Sequence, residues 1–166
     1  MRKVGVVVVV LLVLSAGCLD SVIDAPADQE VPVEFVAENL VDDKTFFKVY
    51  VVDLPANITL RLSDGRQGTY PIGEGVGPSS PGDNRTFTKV EVPESARLHG
   101  NFTLGANETV NSSIEDPPRG FAIVVTVHRD KKEIISYVTA NCDDLPLIGL
   151  KVTRHSEGVS VVHSCT

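Results

Sequence analysis

The chain has 166 residues, with 15 Lys and Arg against 22 Asp and Glu, and a formal net charge of −7. That length suits one domain with a sizeable core. The acidity argues against nucleic-acid binding, since no basic patch exists to displace phosphate counterions, and against lying flat on an anionic lipid surface.

In chain order, Arg2 and Lys3 precede an apolar run from Val4 to Leu14, followed by Ser15, Ala16, Gly17 and Cys18. The run is far shorter than the roughly 20 apolar residues a bilayer-spanning helix needs, but it suits a secretory signal. Together these residues resemble a prokaryotic lipoprotein signal ending in a lipobox. The resemblance implies cleavage before Cys18, a diacylglycerol thioether on Cys18, and anchorage at the extracytoplasmic face of the cell membrane. Two acyl chains anchor durably where one anchors marginally. Residues 18–30 then read as the lipidated Cys and a flexible acidic tether, and residues 31–166 as the folded domain. The acidity, the Val- and Asp-rich usage and only seven lysines resemble proteins of salt-adapted archaea. Acidic surfaces remain solvated in concentrated salt, where self-repulsion is screened.

Beyond Val31 the dominant pattern is alternation, with no sustained helical period. Strands are expected near 31–38, 45–53, 57–62, 66–72, 85–92, 98–104, 121–128, 133–140, 147–154 and 158–164. Turn signals such as Ser63-Asp64-Gly65 and His155-Ser156-Glu157-Gly158 separate several of them. Nine or ten short strands spaced this way point to an all-β fold, a sandwich or barrel, and an immunoglobulin-like sandwich of about nine strands is favoured as architecture. The chain has no Trp, so the buried Trp that usually accompanies an immunoglobulin disulfide is missing. The last four strands read as a meander of hairpins. The Gly- and Pro-rich stretch from Pro71 to Asp83 reads as a long connection. It carries neither a dinucleotide fingerprint nor a phosphate-binding lysine.

Five of the seven asparagines stand in Asn-x-Ser/Thr sequons: Asn57, Asn84, Asn101, Asn107 and Asn111. Composition alone gives about one, so the excess marks these positions as candidate N-glycan acceptors on exposed backbone. Strand parity agrees at two of them. Ile58, Leu60 and Leu62 share one face opposite Asn57, and Leu98, Phe102 and Leu104 share one face opposite Asn101.

With Cys18 lipidated, Cys142 and Cys165 remain, and an even pair outside the membrane reads most simply as a disulfide. A copper site from His128, His163 and Cys165 is disfavoured. The only Met is Met1, and cupredoxins place a His shortly after the Cys, where Thr166 stands here. His128 reads as an outward strand residue beside Thr126, and His163 as half-buried with Val159 and Val161. Asp42-Asp43, Asp116 and Asp143-Asp144 read as solvated turn charge, without EF-hand spacing. Gly-x-Ser-x-Gly, Ser-x-x-Lys and His-Glu-x-x-His are absent.

The sequence therefore predicts a non-catalytic, lipid-anchored surface protein without catalytic residues, metal or cofactor. Its expected contacts are the membrane, through the lipid on Cys18, and a cell-surface protein or glycan. The alternative is a small-ligand or metal-binding lipoprotein accessory to a membrane transporter.

Overall fold

The computed structural model describes residues 31–73, 75–76, 87–131, 133–142 and 144–166. The signal, Cys18, the tether, the Asn84 sequon, Asp143 and most of the Gly/Pro stretch lie outside the described residues.

The protein is all-β. Its strands are β1 (Val33–Asn39), β2 (Thr45–Asp53), β3 (Asn57–Leu62), β4 (Gln67–Pro71), β5 (Gly75–Val76), β6 (Phe87–Glu91), β7 (Arg97–Leu104), β8 (Glu108–Ile114), β9 (Phe121–His128), β10 (Ile134–Ala140), β11 (Leu147–His155) and β12 (Gly158–Cys165). No helix among the described residues is long and apolar enough to cross a membrane.

The strands form two sheets. The smaller runs β12-β11-β1-β8. The larger runs β4-β3-β6-β10-β9-β2-β7, with β5 paired to β10. Neither path closes into a barrel. Every pairing is antiparallel except β1 with β11, whose parallel register sets Glu34 beside Gly149 and Asn39 beside Arg154. The last four strands are thus not one meander. β9 and β10 form a hairpin in the larger sheet, β11 and β12 form one in the smaller, and the chain changes sheet between them.

Strict alternation assigns the faces. Val33, Phe35 and Ala37 from β1, and Leu147, Leu150 and Val152 at β11, meet Phe47, Val49 and Val51 from β2 and Ile123, Val125 and Val127 from β9 in one apolar cluster between the sheets. A second cluster forms on the opposite side of the larger sheet. There Val52, Ala122, Val124, Ile134 and Tyr137 pack with Ile58 and Leu60 of β3, Ile72, and Phe87 of β6. β9 is therefore covered on both faces, and it reads as a nearly continuous apolar run.

Sequence parity holds in β3, where Ile58 and Leu60 are buried and Asn57 is exposed. It fails in β7. The β2–β7 register shifts between Val49, opposite Gly100, and Tyr50, opposite Leu98, so His99 is the extra residue of a bulge. The slip sends Leu98 to solvent at 52% exposure and turns His99 toward Phe102, at 6.4 Å between ring centroids. Leu98 thus does not share the face of Phe102 and Leu104. Gly100 leaves room for the ring, because a Cβ on it would come within 2.7 Å of Phe102 unless that side chain moved.

Among the described residues twelve strands stand where nine or ten were expected. Beyond the ten segments named above, the additions are the two-residue β5 and the edge strand β8. In β8 only Val110 and Ile114 are apolar, so its sequence carries little strand signal. At the β3–β4 turn, Gly65 has φ +83 and donates to the Leu62 carbonyl at 3.0 Å, a backbone shape that favours glycine.

Candidate functional site

The register sorts the strand ends into two groups. β1, β7, β9 and β11 finish at one end of the molecule, where Asn39 lies beside Arg154, Thr45 beside Leu104, and Phe46 beside His128. The turns that follow β1, β7, β9 and β11 therefore converge. Asn39 organises them. It is fully buried, and its Nδ2 lies within reach of the carbonyls of Asp43 at 2.9 Å and Gly105 at 2.7 Å, while its Oδ1 accepts from Thr45 Oγ1 at 2.9 Å.

Between these turns lies a polar cleft of about 300 Å³, lined by Val41, Asp42, Asp43, Lys44, Thr45, Arg129, Arg154 and Ser156. Arg154 is half-buried, and its Nη1 donates to the carbonyls of His155 and, at 2.9 Å, Gly158. Burial first, then the nearby Arg129, presses its guanidinium below the ordinary value, and Asp43 works the other way. A guanidinium stays charged through any such shift. Arg129 is held at 3.4 Å by Glu133. Three cations thus share the cleft with two carboxylates, and Glu133 pairs with one of them, so the mouth is balanced in charge on a chain whose net charge is −7. Such a mouth suits a small polar or zwitterionic group. The sequence marked Asp42 and Asp43 only as turn charge. It gave no sign that the β1–β2, β9–β10 and β11–β12 turns meet, because that depends on the β1–β11 register.

The opposite end gathers the start of β1 at Val33 and the start of β11. There the Cys142–Cys165 disulfide joins the chain just past β10 to the end of β12, with Cα atoms 5.8 Å apart. Cys142 is buried at 8% exposure. The ligand atoms of Cys142, Cys165 and His163 all lie within 4.8 Å of one another. His163 is exposed, not half-buried, because β12 is the outer edge of the smaller sheet.

The described sequon asparagines Asn57, Asn101, Asn107 and Asn111 are all exposed. Asn107 stands in the β7–β8 turn at the cleft end, with φ 57. Asp116 and Asp144 are exposed near turns.

His128 is buried, not outward, at 6% exposure. Its Nε2 meets Thr126 Oγ1 at 2.9 Å and its Nδ1 has no partner. The second apolar cluster, packed over that face of β9, is what the alternation could not reveal. Two Ser–His contacts also escaped sequence reading: Ser112 with His99 at 2.9 Å, and Ser160 with His155 at 2.7 Å. Among the described residues no carboxylate hydrogen-bonds either imidazole, so neither pair has the third, orienting group of a catalytic triad.

Comparison with protein-family models, curated proteins and solved structures finds no match.

Proposed function

We propose that this protein is a lipid-anchored extracytoplasmic surface protein, and that it works as a non-catalytic binding, adhesion or accessory module of immunoglobulin-like architecture. The carrying observation is the opposition of two ends. β1 begins at Val33 and runs for seven residues, about 23 Å, before reaching the cleft end at Asn39. A chain tethered through Cys18 enters the fold at the start of β1, which leaves the convergent turns at the far end open to a partner. Turn clusters at one end of paired sheets are a common recognition surface. Two sheets sharing one apolar core support the immunoglobulin-like reading; the apolar layer contributed by β3 and β6 departs from a plain sandwich.

The exposed sequon asparagines fit a glycosylated outer surface, and the acidic surface fits a salt-adapted archaeal source. The alternative, a small-ligand lipoprotein serving a transporter, draws on the same cleft, whose volume is at the lower limit of ligand pockets.

The test is cross-linking on intact cells with wild type, Cys18→Ser and Arg129→Glu. The reading expects a membrane-bound wild type with a stoichiometric partner, release of Cys18→Ser from the membrane, and loss of the partner with Arg129→Glu at unchanged melting temperature. A wild type that stays in the soluble fraction, or a partner retained by Arg129→Glu, would overturn the anchor or the cleft respectively.

A further inference from the structure

We propose that reduction of the Cys142–Cys165 bridge converts the end of the fold opposite the cleft into a binding site for one monovalent copper ion, held by the two thiolates and His163. Three observations carry this. First, one sulfur or imidazole nitrogen from each of the three residues already lies within 4.8 Å of the others, so small side-chain rotations suffice to surround one ion. Second, two of the ligands come from one strand. His163 and Cys165 alternate onto one side of β12, whose pairing with β11 reaches Leu147 opposite Cys165 past a register shift, and Cys142 lies two residues beyond the end of β10. Third, the surroundings are graded. Cys142 is buried beside Leu147 and Leu150, whereas His163 is exposed, leaving an entry path from solvent.

The chemistry balances with an external dithiol. Its two thiols pass two electrons and two protons to the bridge; the Cys142–Cys165 S–S bond breaks, and the dithiol leaves as its own disulfide. The ion then displaces the two thiol protons to solvent, and His163 supplies a neutral imidazole nitrogen. Two thiolates and one imidazole make a soft, three-ligand set that favours Cu(I). Zn(II) prefers a fourth ligand. The site is thus open only in the reduced state.

The test uses the full chain in detergent with Cys18→Ser, so that Cys142 and Cys165 are the only thiols. Cu(I) is titrated in competition with a chromogenic chelator, before and after phosphine reduction, with circular dichroism recorded throughout. The expected result is one Cu(I) per reduced, folded chain and none per oxidised chain. His163→Ala should weaken binding by more than the roughly 10–100-fold that loss of an outer-shell partner costs. Cys142→Ser should abolish it. The proposal is overturned if the reduced chain unfolds, if it binds no more copper than Cys142→Ser, if it prefers Zn(II), or if His163→Ala binds as tightly as the parent.

Discussion

At the scale of single residues, His128 shows how burial overrides pattern. Its imidazole is pushed down from 6.5 to about 4, first by burial and then by Lys48, with Asp130 opposing. The native state therefore keeps it neutral, while the unfolded chain takes up a proton below about 6.5. Between those values the unfolded state binds more protons. The contribution to stability is complete above 6.5 and is lost as pH falls toward 4, by at most about 3 kcal/mol. His99, also lowered by burial, acts with the same sign. We expect urea midpoints to drop between about pH 7.5 and about pH 4.5, and the drop to shrink in His128→Gln. An equal drop in both proteins would dismiss His128 as the source.

At the scale of elements, the bulge in β7 and the edge strand β8 set what alternation can and cannot tell. Gly100 lets the Phe102 ring lie across the strand and stack on Phe35, with centroids 5.8 Å apart. Gly100→Ala forces that ring aside and should cost about 1–3 kcal/mol in chemical denaturation. Pairing it with Phe102→Leu should recover much of the loss, and a double variant as unstable as the sum of its parts would remove Phe102 as the cause. The strands with one apolar face, β1 and β3, were legible because their period is 2. β8 was not, because five of its seven residues are polar and its stability comes from pairing with β1.

At the scale of the whole molecule, the disulfide and the cleft mark opposite ends of one rigid core. The bridge closes a separation of 23 residues around β11 and β12, which the chain-entropy argument values at about 3 kcal/mol. Cys142→Ser with Cys165→Ser, or reduction, should lower the unfolding free energy by about that amount while leaving one cooperative transition. Loss of cooperativity would show instead that the bridge holds the smaller sheet in place. The core explains the expected survival. Phe35, Phe47, Ile123 and Leu150 are essentially inaccessible and join both sheets without the bridge.

The amino-acid order by itself determined the all-β class, most strand positions and the Cys142–Cys165 pairing. Each depends on local alternation, on turn residues or on counting. It also supplied the expectation of a lipid anchor at Cys18. Only the tertiary structure decided that β1 pairs in parallel with β11, that a second apolar layer buries His128, and that Lys44, Arg129 and Arg154 line one cleft. It likewise decided that His163 stands beside the bridged cysteines. Those facts rest on contacts between residues far apart in the chain. A strand's own periodicity specifies which face turns inward but not which neighbour it meets.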